Sequence, residues 1–212
     1  MREIHIRNVS KAFGENRVLK DVSIDIPAGQ ITGIIGRNGS GKTVLLKCII
    51  GLMRPDSGEI TVGGTRIGQD ADFAPDTGFI IETPGFIGNR TGFQNLKYLA
   101  LISGRADDEA IRATIRRVGL NPDERKKVSR YSLGMRQRLG IAQAIMEDND
   151  VLIFDEPMNS LDSGCVEEMR QLFIALAAEG KTIIVTSHNS EDIRVLCSEV
   201  YSIEDGILSR SQ

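Results

Sequence analysis

The sequence has few cysteines, no long apolar run and no large excess of charge, and each shortage disfavours a class of protein. Its cysteines, Cys48, Cys165 and Cys197, follow neither a disulfide framework nor a metal-ligand spacing, so we expect reduced thiols. The apolar stretches fall short of the ~20 residues that a membrane-spanning helix needs. The first residues are charged and predict no signal peptide. Lys and Arg total 26 against 29 Asp and Glu, which disfavours a dedicated nucleic-acid binder.

What is present is the composition of an ordinary globular protein, with 212 residues, 41% hydrophobic and 26% charged. At roughly 150 residues per domain, this length predicts one compact unit with room for an inserted lobe. The charge is unevenly distributed, because residues 104–138 hold 10 Lys and Arg against 5 Asp and Glu. That stretch is either a solvated helical surface or a surface that meets phosphate or an acidic partner.

Short segments rich in β-branched residues predict strands, and apolar positions at helical spacing predict helices between them. Strands are expected at 4–6, 22–26, 31–35, 60–62, 79–81, 151–154 and 182–186. Helices are expected at 42–52, from Asp107 to Gly119, at 133–146 after Ser132, and from Ser163 onward. The nearly continuous apolar runs are typical of parallel strands, while the first two segments alternate like antiparallel ones. We therefore predict an α/β sheet with a small antiparallel layer and, at about 84–150, an almost wholly helical lobe with polar turns at 103–104 and 121–123.

The strongest local motif spans positions 36–43 and fits the phosphate-binding pattern G-x-x-x-x-G-K-[ST] in full. Its residues are Gly36, Arg37, Asn38, Gly39, Ser40, Gly41, Lys42 and Thr43. The glycines let successive backbone N–H groups surround an anion at a helix N-terminus. Lys42 can reach the β- and γ-phosphates, and the Thr43 hydroxyl can bind Mg²⁺. The motif predicts a nucleoside triphosphate ligand rather than a glycine-rich turn without one.

Two carboxylates, Asp155 and Glu156, follow the apolar run 151–154, at the edge where a parallel sheet presents its ligands. Asp155 can hold Mg²⁺ directly or through water, and Glu156 can polarise a water aligned on the γ-phosphate. The competing interpretation is that these acidic residues cap a helix N-terminus. The presence of a phosphate-loop motif in the same chain disfavours it. His188 follows the run 182–186 on the same edge, where it can hydrogen-bond a γ-phosphate, whereas His5 fits a structural role on an exposed strand.

In this order the motifs resemble the nucleotide-binding cassette of ABC ATPases, and the resemblance covers the whole chain. The family signature LSGGQ is represented by residues 131–135, YSLGM, which keep Ser132 and Gly134 and precede Arg-Gln-Arg-Leu. Residues 159–162, ending in Asp162, resemble the D-loop, and 186–188 resemble the switch-histidine region. Phe13 resembles the aromatic residue that stacks on adenine, with a core phenylalanine as the alternative.

The resemblance implies an α/β fold with a phosphate-loop NTPase core, an N-terminal antiparallel β subdomain and an inserted helical subdomain. Residues 1–212 would form a single ABC ATPase domain, with 1–83 and 151–212 as the catalytic core and 84–150 as the helical subdomain. ATP and Mg²⁺ are the implied ligands. A head-to-tail dimer, of two copies or with another cassette, would form on ATP binding. Each ATP would lie between one phosphate loop and the partner's signature residues Ser132 and Gly134, with Asp162 also contributing to the nucleotide site.

One departure from the family pattern follows the predicted strand 79–81, where the family usually has glutamine and this chain has Glu82. The family residue contacts Mg²⁺ and the attacking water, so Glu82 is a candidate catalytic and metal-binding residue. Residues 80–86 are similar to the subfamily that exports bacitracin-type and lantibiotic peptides, whose signature often reads S-L-G-M. Leu133 and Met135 replace small or polar signature residues, which would weaken the contact with the second subunit.

The leading hypothesis is the ATPase subunit of a membrane exporter, bound to an integral membrane permease on a separate chain. It would be cytoplasmic and peripheral on the inner face of the membrane. The alternative is a soluble ABC ATPase acting on DNA or ribosomes. Such proteins carry long insertions, zinc modules or tandem cassettes that do not fit the signature spacing here, and the charge balance disfavours nucleic acid. A small kinase or GTPase would not explain the signature residues. The guanine-selecting pattern Asn-Lys-x-Asp, which a GTPase would need, is absent from the sequence.

Overall fold

The apolar runs predicted as strands lie side by side in one mixed sheet. Residues 2–211, which the computed structural model describes, form ten strands and six α-helices. The strands are β1 (Ile4–Phe13), β2 (Asn16–Ile26), β3 (Ile31–Ile35), β4 (Ser57–Val62), β5 (Thr65–Arg66), β6 (Thr77–Ile80), β7 (Val151–Asp155), β8 (Thr182–Thr186), β9 (Glu199–Glu204) and β10 (Ile207–Arg210). The helices are α1 (Lys42–Ile50), α2 (Gly92–Ser103), α3 (Asp108–Arg117), α4 (Leu133–Ile145), α5 (Ser163–Ala178) and α6 (Ser190–Leu196).

Within residues 2–211 the larger sheet has six strands in the order β10-β9-β3-β8-β7-β6. The strands from β9 to β6 are parallel, and β10 closes one edge as an antiparallel hairpin with β9. A second, four-stranded sheet in the order β2-β1-β4-β5 is antiparallel. The predicted α/β fold with a parallel core and an N-terminal antiparallel layer is confirmed.

The strand β7, which lies between β8 and β6, shows why the parallel strands are continuous apolar runs in the sequence. Leu152 and Phe154 point to a core shared with the helices of the lobe, whereas Val151 and Ile153 point to a core under α1 and the antiparallel sheet. Alternate side chains of a strand point to opposite faces, and here both faces are covered. No polar face is left on such a strand.

The predicted helix starts agree with the caps in the structure. The side chain of Asp107 accepts from the backbone N–H of Ala110 at the start of α3. Ser132 caps α4 in the same manner, and Asp162, one residue before the predicted start, caps α5. Each cap satisfies a backbone donor that the helix leaves unpaired.

Three expectations about local structure were wrong. The lobe at 84–150 is not almost wholly helical, because residues 84–91 are irregular and the predicted turn at 121–123 extends over residues 118–132, with one 3₁₀ segment at Val128–Arg130. Pro122 and the charged run that follows it offer no apolar helical period there. The strands β1 and β2 are longer than predicted, and β9, β10 and α6 were not predicted. The hairpin of β9 and β10 is half exposed, so its apolar pattern is weak.

Cys48 and Cys197 are buried in the hydrophobic core. Burial raises the pKa of Cys48 to about 11 and that of Cys197 to about 12, so both stay protonated near neutral pH. Cys165 is partly exposed near the start of α5, and all three are free thiols. Among residues 2–211, no helix is long and apolar enough to cross a bilayer.

Candidate functional site

The phosphate-loop segment lies between β3 and α1, at the carboxyl edge of the parallel sheet. Gly36 and Gly41 have positive φ angles of 154° and 110°, which favour glycine. A Cβ on Gly36 would lie 2.6 Å from the carbonyl oxygen of Ile203, and one on Gly41 would lie 2.8 Å from that of Val18. Both glycines are therefore required by close backbone packing as well as by φ. The turn brings the N-terminus of α1 to the sheet edge.

The side chain of Lys42 folds back over this turn. Its Nζ donates to the carbonyl oxygens of Gly36 at 2.7 Å and Arg37 at 3.2 Å. Ser40 Oγ is buried and lacks a hydrogen-bond partner among the described residues. A cavity of about 390 Å³ opens beside the turn, lined by Val18, Asn38, Gly39, Gly41, Lys42, Thr43, Val44, Asp155 and Glu156. The cation and the orphan hydroxyl are groups that an anionic ligand would satisfy.

The two acidic residues predicted at the end of β7 differ in their surroundings. The buried carboxylate of Asp155 accepts from Thr43 Oγ1 at 2.7 Å on one oxygen and from Thr186 Oγ1 at 2.6 Å on the other. Asp155 and Thr186 are direct partners in the parallel pairing of β7 with β8. Thr186 Oγ1 also accepts from the backbone N–H of Glu156 at 2.9 Å. This threonine therefore orients both acidic residues.

The next residue, Glu156, has a left-handed φ of 51° and turns its side chain toward the end of β8. Its Oε2 is 2.8 Å from Nδ1 of His188 and accepts from the His188 backbone N–H at 3.3 Å. The carboxylate is mostly buried, whereas the His188 ring is 66% exposed. Because Nδ1 is engaged by Glu156, only Nε2 of the ring is left to serve a ligand.

The signature residues lie at the start of α4 and form a second cavity of about 460 Å³. Ser132 Oγ accepts from the backbone N–H of Met135 at 3.1 Å. A Cβ on Gly134 would lie 2.9 Å from the carbonyl oxygen of Ser160, so the signature turn packs closely on the predicted D-loop. The cavity is lined by Ser132, Leu133, Gly134, Met135, Arg138, Ser160, Leu161, Asp162 and Cys165. It shares no lining residue with the cavity beside the phosphate loop.

Asp162, which lines the cavity at the signature residues, is also the N-cap of α5. Its Oδ1 accepts from the backbone N–H of Cys165 at 3.0 Å. This backbone hydrogen bond favours the ionised form and lowers the pKa of the Asp162 carboxyl below its ordinary value. The side chain is thus already engaged in capping the helix.

The two remaining candidates, Glu82 and Phe13, do not line the cavity beside the phosphate loop. Oε1 of Glu82 accepts from Nζ of Lys47 at 2.6 Å, on the outer part of α1. Phe13 ends β1, is 49% exposed and has Nζ of Lys11 at 5.8 Å from its ring centroid. An exposed ring is available for stacking, and the alternative of a core phenylalanine is wrong for Phe13.

Two residues at the site had no assigned role in the sequence analysis. The partnership of Thr186 with Asp155 depends on the pairing register of two strands 31 positions apart. Lys47 lies one helical turn after Thr43, and its contact with Glu82 depends on how α1 packs beside β6. Thr186 belongs to the segment 186–188 that resembles the switch-histidine region, but the resemblance gave it no role, and no local motif marks Lys47.

The oxygen donors beside the phosphate loop suit Mg²⁺, which prefers oxygen ligands and keeps several waters. The Thr43 hydroxyl and the Asp155 carboxylate lie within one hydrogen bond of each other, and Thr186 fixes the carboxylate from its other side. Among residues 2–211, no cluster of three or more His, Cys, Asp or Glu is arranged to hold a metal by itself. The donor set thus fits an ion that takes its remaining ligands from substrate and water.

Comparisons with known proteins agree with this arrangement. A family model described as ABC transporter matches residues 19–159. The uncharacterized ABC transporter ATP-binding protein YybJ of Bacillus subtilis is 40% identical over 99% of this chain and 96% of its own length. The bacitracin transport ATP-binding protein BcrA of Enterococcus faecalis is 38% identical over 97% of this chain and 67% of its own length.

A solved structure, described as the ATP binding subunit of an ABC transporter, has the same fold. It superimposes with a TM-score of 0.89 over 99% of this chain and 89% of that chain, at 24% sequence identity. At this identity the likeness establishes the architecture alone. The predicted combination of a phosphate-loop core, an antiparallel β layer and an inserted helical lobe is thereby confirmed.

Proposed function

The chain belongs to the ABC transporter family of ATP-binding proteins and is an ATPase, and from this premise we propose that it energises a separate membrane permease that exports a peptide antibiotic or drug-like compound. The observation that carries the catalytic part is the convergence of Thr43, Asp155, Glu156 and His188 at the carboxyl ends of neighbouring parallel strands. The name of the relative BcrA supports the choice of substrate class.

ATP would bind with its phosphates in the turn formed by residues 36–43. The backbone N–H groups at the start of α1 point toward the anion, and the helix dipole adds a partial positive charge. Nζ of Lys42 would exchange its bonds to the carbonyl oxygens of Gly36 and Arg37 for phosphate oxygens. Ser40 Oγ would gain the partner that it lacks. The exposed ring of Phe13 would stack on the adenine.

Hydrolysis needs a water aligned on the γ-phosphate and a group that takes its proton. Glu156 would orient that water and accept the proton, since its carboxylate lies beside the phosphate-loop cavity. His188 would donate from Nδ1 to this carboxylate and, as the doubly protonated imidazolium, would also donate from Nε2 to the γ-phosphate. Thr43, Asp155 and the candidate Glu82 would hold Mg²⁺, which supplies charge neutralisation between the phosphates.

A second cassette would complete the site. Ser132 and Gly134 line a cavity separate from the phosphate loop of the same chain, so one chain offers two half-sites rather than a closed one. The hydroxyl of Ser132 and the N-terminus of α4 are groups suited to a γ-phosphate. Head-to-tail pairing would bring these groups, together with Asp162, against the partner's ATP. Closing the pair would exclude water and couple hydrolysis to motion.

The permease would contact the helical lobe at 84–150. Several large apolar side chains are exposed there, among them Ile87, Tyr98, Leu101 and Ile102, which is 84% exposed. An apolar patch on a protein surface is typical of an interaction site. Through this contact the chain would sit on the inner face of the cell membrane, with ATP on the cytoplasmic side. Nucleic acid is not an expected partner.

Co-purification after gentle detergent extraction tests this proposal directly. We expect a membrane protein with several spanning helices to accompany the wild-type chain. Replacing both Leu101 and Ile102 with Ser should weaken its recovery, while the same change at the distant exposed residue Ile207 should not. Recovery of ribosomes or DNA in place of a membrane protein would contradict the transporter assignment.

A further inference from the structure

A buried ion pair connects α5 with α6, behind the loop that carries His188. Nη2 and Nε of Arg170 donate to Oδ1 of Asp192 at 2.6 and 3.0 Å. The two side chains are only 9% and 2% exposed. The hydrogen bond to Asp192 raises the pKa of Arg170 above its ordinary value. This pair therefore lies in a place with little water.

The second oxygen of Asp192 extends the network to the His188 loop. Ser187 Oγ donates to Oδ2 of Asp192 at 3.2 Å and accepts from the backbone N–H of Asn189 at 3.0 Å. Ser187 is itself buried. The residues on both sides of His188 are thus held by one hydroxyl, which is oriented in turn by Asp192.

Helix α5, which carries Arg170, also packs against β7, the strand that ends in the acidic residues. The rings of Phe173 on α5 and Phe154 on β7 are stacked, with centroids 4.5 Å apart and an interplanar angle of 8°. Phe154 directly precedes Asp155 and Glu156. Through α5, the position of the His188 loop is tied to that of the Glu156 carboxylate with which His188 forms its hydrogen bond.

A buried ion pair adds little net stability, because removing both charges from water costs about as much as their attraction returns. Arrangements of this kind are instead suited to holding groups in one geometry. We propose that Arg170 and Asp192 are positioning residues, which act through Ser187 to keep His188 aligned between Glu156 and the γ-phosphate. The inference rests on the proposed roles of Glu156 and His188 in ATP hydrolysis.

The variant Ser187→Ala tests the inference without leaving a buried charge unpaired. Displacing a reacting group by a fraction of an ångström should lower kcat by roughly 10-fold, with the KM for ATP changed by less than about twofold. Asp192→Asn should have the same kinetic effect, together with a lower melting temperature, because Arg170 loses its buried counter-charge and keeps only the exposed carboxylates of Glu167 and Glu191, each at 3.5 Å. The assay is hydrolysis of ATP with Mg²⁺ by the full chain, alone and with its permease.

A double-variant cycle separates positioning from a general structural effect. If Ser187 acts through His188, adding Ser187→Ala to His188→Ala should cause no further loss of kcat. The matched control is Glu179→Gln, which breaks the exposed ion pair with Arg117 at the far end of α5 and should leave kcat unchanged.

Two results would overturn the inference while leaving the proposed function intact. The first is a normal kcat in Ser187→Ala while the kcat of His188→Ala is reduced. The second is a kcat in the double variant that is reduced by the product of the two single losses. Normal turnover in His188→Ala would instead contradict the proposed role of His188 itself, and the inference with it.

Discussion

Nζ of Lys47 donates to Oε1 of Glu82 across 2.6 Å, and this ion pair ties the segment that follows β6 to the last turn of α1. Glu82 has a left-handed φ of 61°, and its side chain is 66% exposed. Lys47 lies one turn along the helix from Thr43, whose hydroxyl contacts Asp155. The carboxylate that replaces the family glutamine thus has a cationic partner near the proposed Mg²⁺ ligands.

Glu82→Gln is expected to keep substantial ATPase activity in the assembled transporter. The amide oxygen can still accept from Lys47 and can still ligate Mg²⁺, and an exposed ion pair is worth about 0–1 kcal/mol. The control Glu109→Gln breaks another exposed pair, with Arg116, far from the site. Near-complete loss of activity in Glu82→Gln alone would mean that the carboxylate has a function that an amide cannot supply.

Glu156→Gln should bind ATP normally but lose most turnover. The substitution keeps the shape of the side chain and leaves Lys42 and the phosphate loop unchanged, while it removes the proton acceptor, for which a loss of roughly 10²–10⁴-fold is typical. With hydrolysis blocked, the ATP-bound dimer should accumulate, as measured by size-exclusion chromatography with and without ATP. Wild-type turnover would refute the role of Glu156.

Gly78→Ala should destabilise the fold by about 3 kcal/mol, a large cost for one methyl group. A Cβ at this position in β6 would lie 1.8 Å from the carbonyl oxygen of Ala144 on α4, so the helix would have to move away from the sheet. Gly85→Ala is the matched control, since a Cβ there meets no atom within 4 Å. Urea unfolding of the two variants should separate them clearly, and equal midpoints would contradict the close packing.

The stabilising effect of His5 should depend on pH. Hydrogen bonds with Asp25 and Glu3 raise the pKa of His5 above 6.5, and the bond with His5 lowers the pKa of Asp25 below 3.8. The contribution of His5 is therefore complete below about pH 6.5 and is lost as pH rises through its folded-state pKa. The contribution of Asp25 to stability is present above about pH 3.8 and is lost as pH falls through its lowered folded-state pKa.

Comparing the wild type with His5→Gln at about pH 5.5 and about pH 8.5 measures this effect. The wild-type advantage in free energy of unfolding should be larger at the lower pH and stay below about 1 kcal/mol, because solvent screens the pair. An advantage that is equal at both pH values, or larger at the higher one, would show that protonated His5 does not stabilise β1 against β2.

Much of the local architecture followed from the sequence because its causes are local. Ser132 was predicted to open a helix and caps α4, and the apolar run 31–35 was predicted as a strand and forms β3. The hairpin of β9 and β10 was missed because half-exposed strands at a sheet edge carry little apolar pattern. The turn at 121–123 was predicted from Asn121, Pro122 and Asp123, but the irregular stretch around it, from 118 to 132, is longer than these residues indicate.

The sequence by itself determined the phosphate-loop motif, the acidic end of β7 and the strands β3, β7 and β8 with the helices that follow the phosphate loop, Ser132 and Asp162, since these depend on backbone sterics and short-range hydrogen bonds. Only the tertiary structure decided which side chains meet. Thr43 reaches Asp155, Glu156 reaches His188 and Arg170 reaches Asp192 across 112, 32 and 22 positions. Such meetings depend on strand order, pairing register and helix packing, which are set by burial of the whole core rather than by any local pattern.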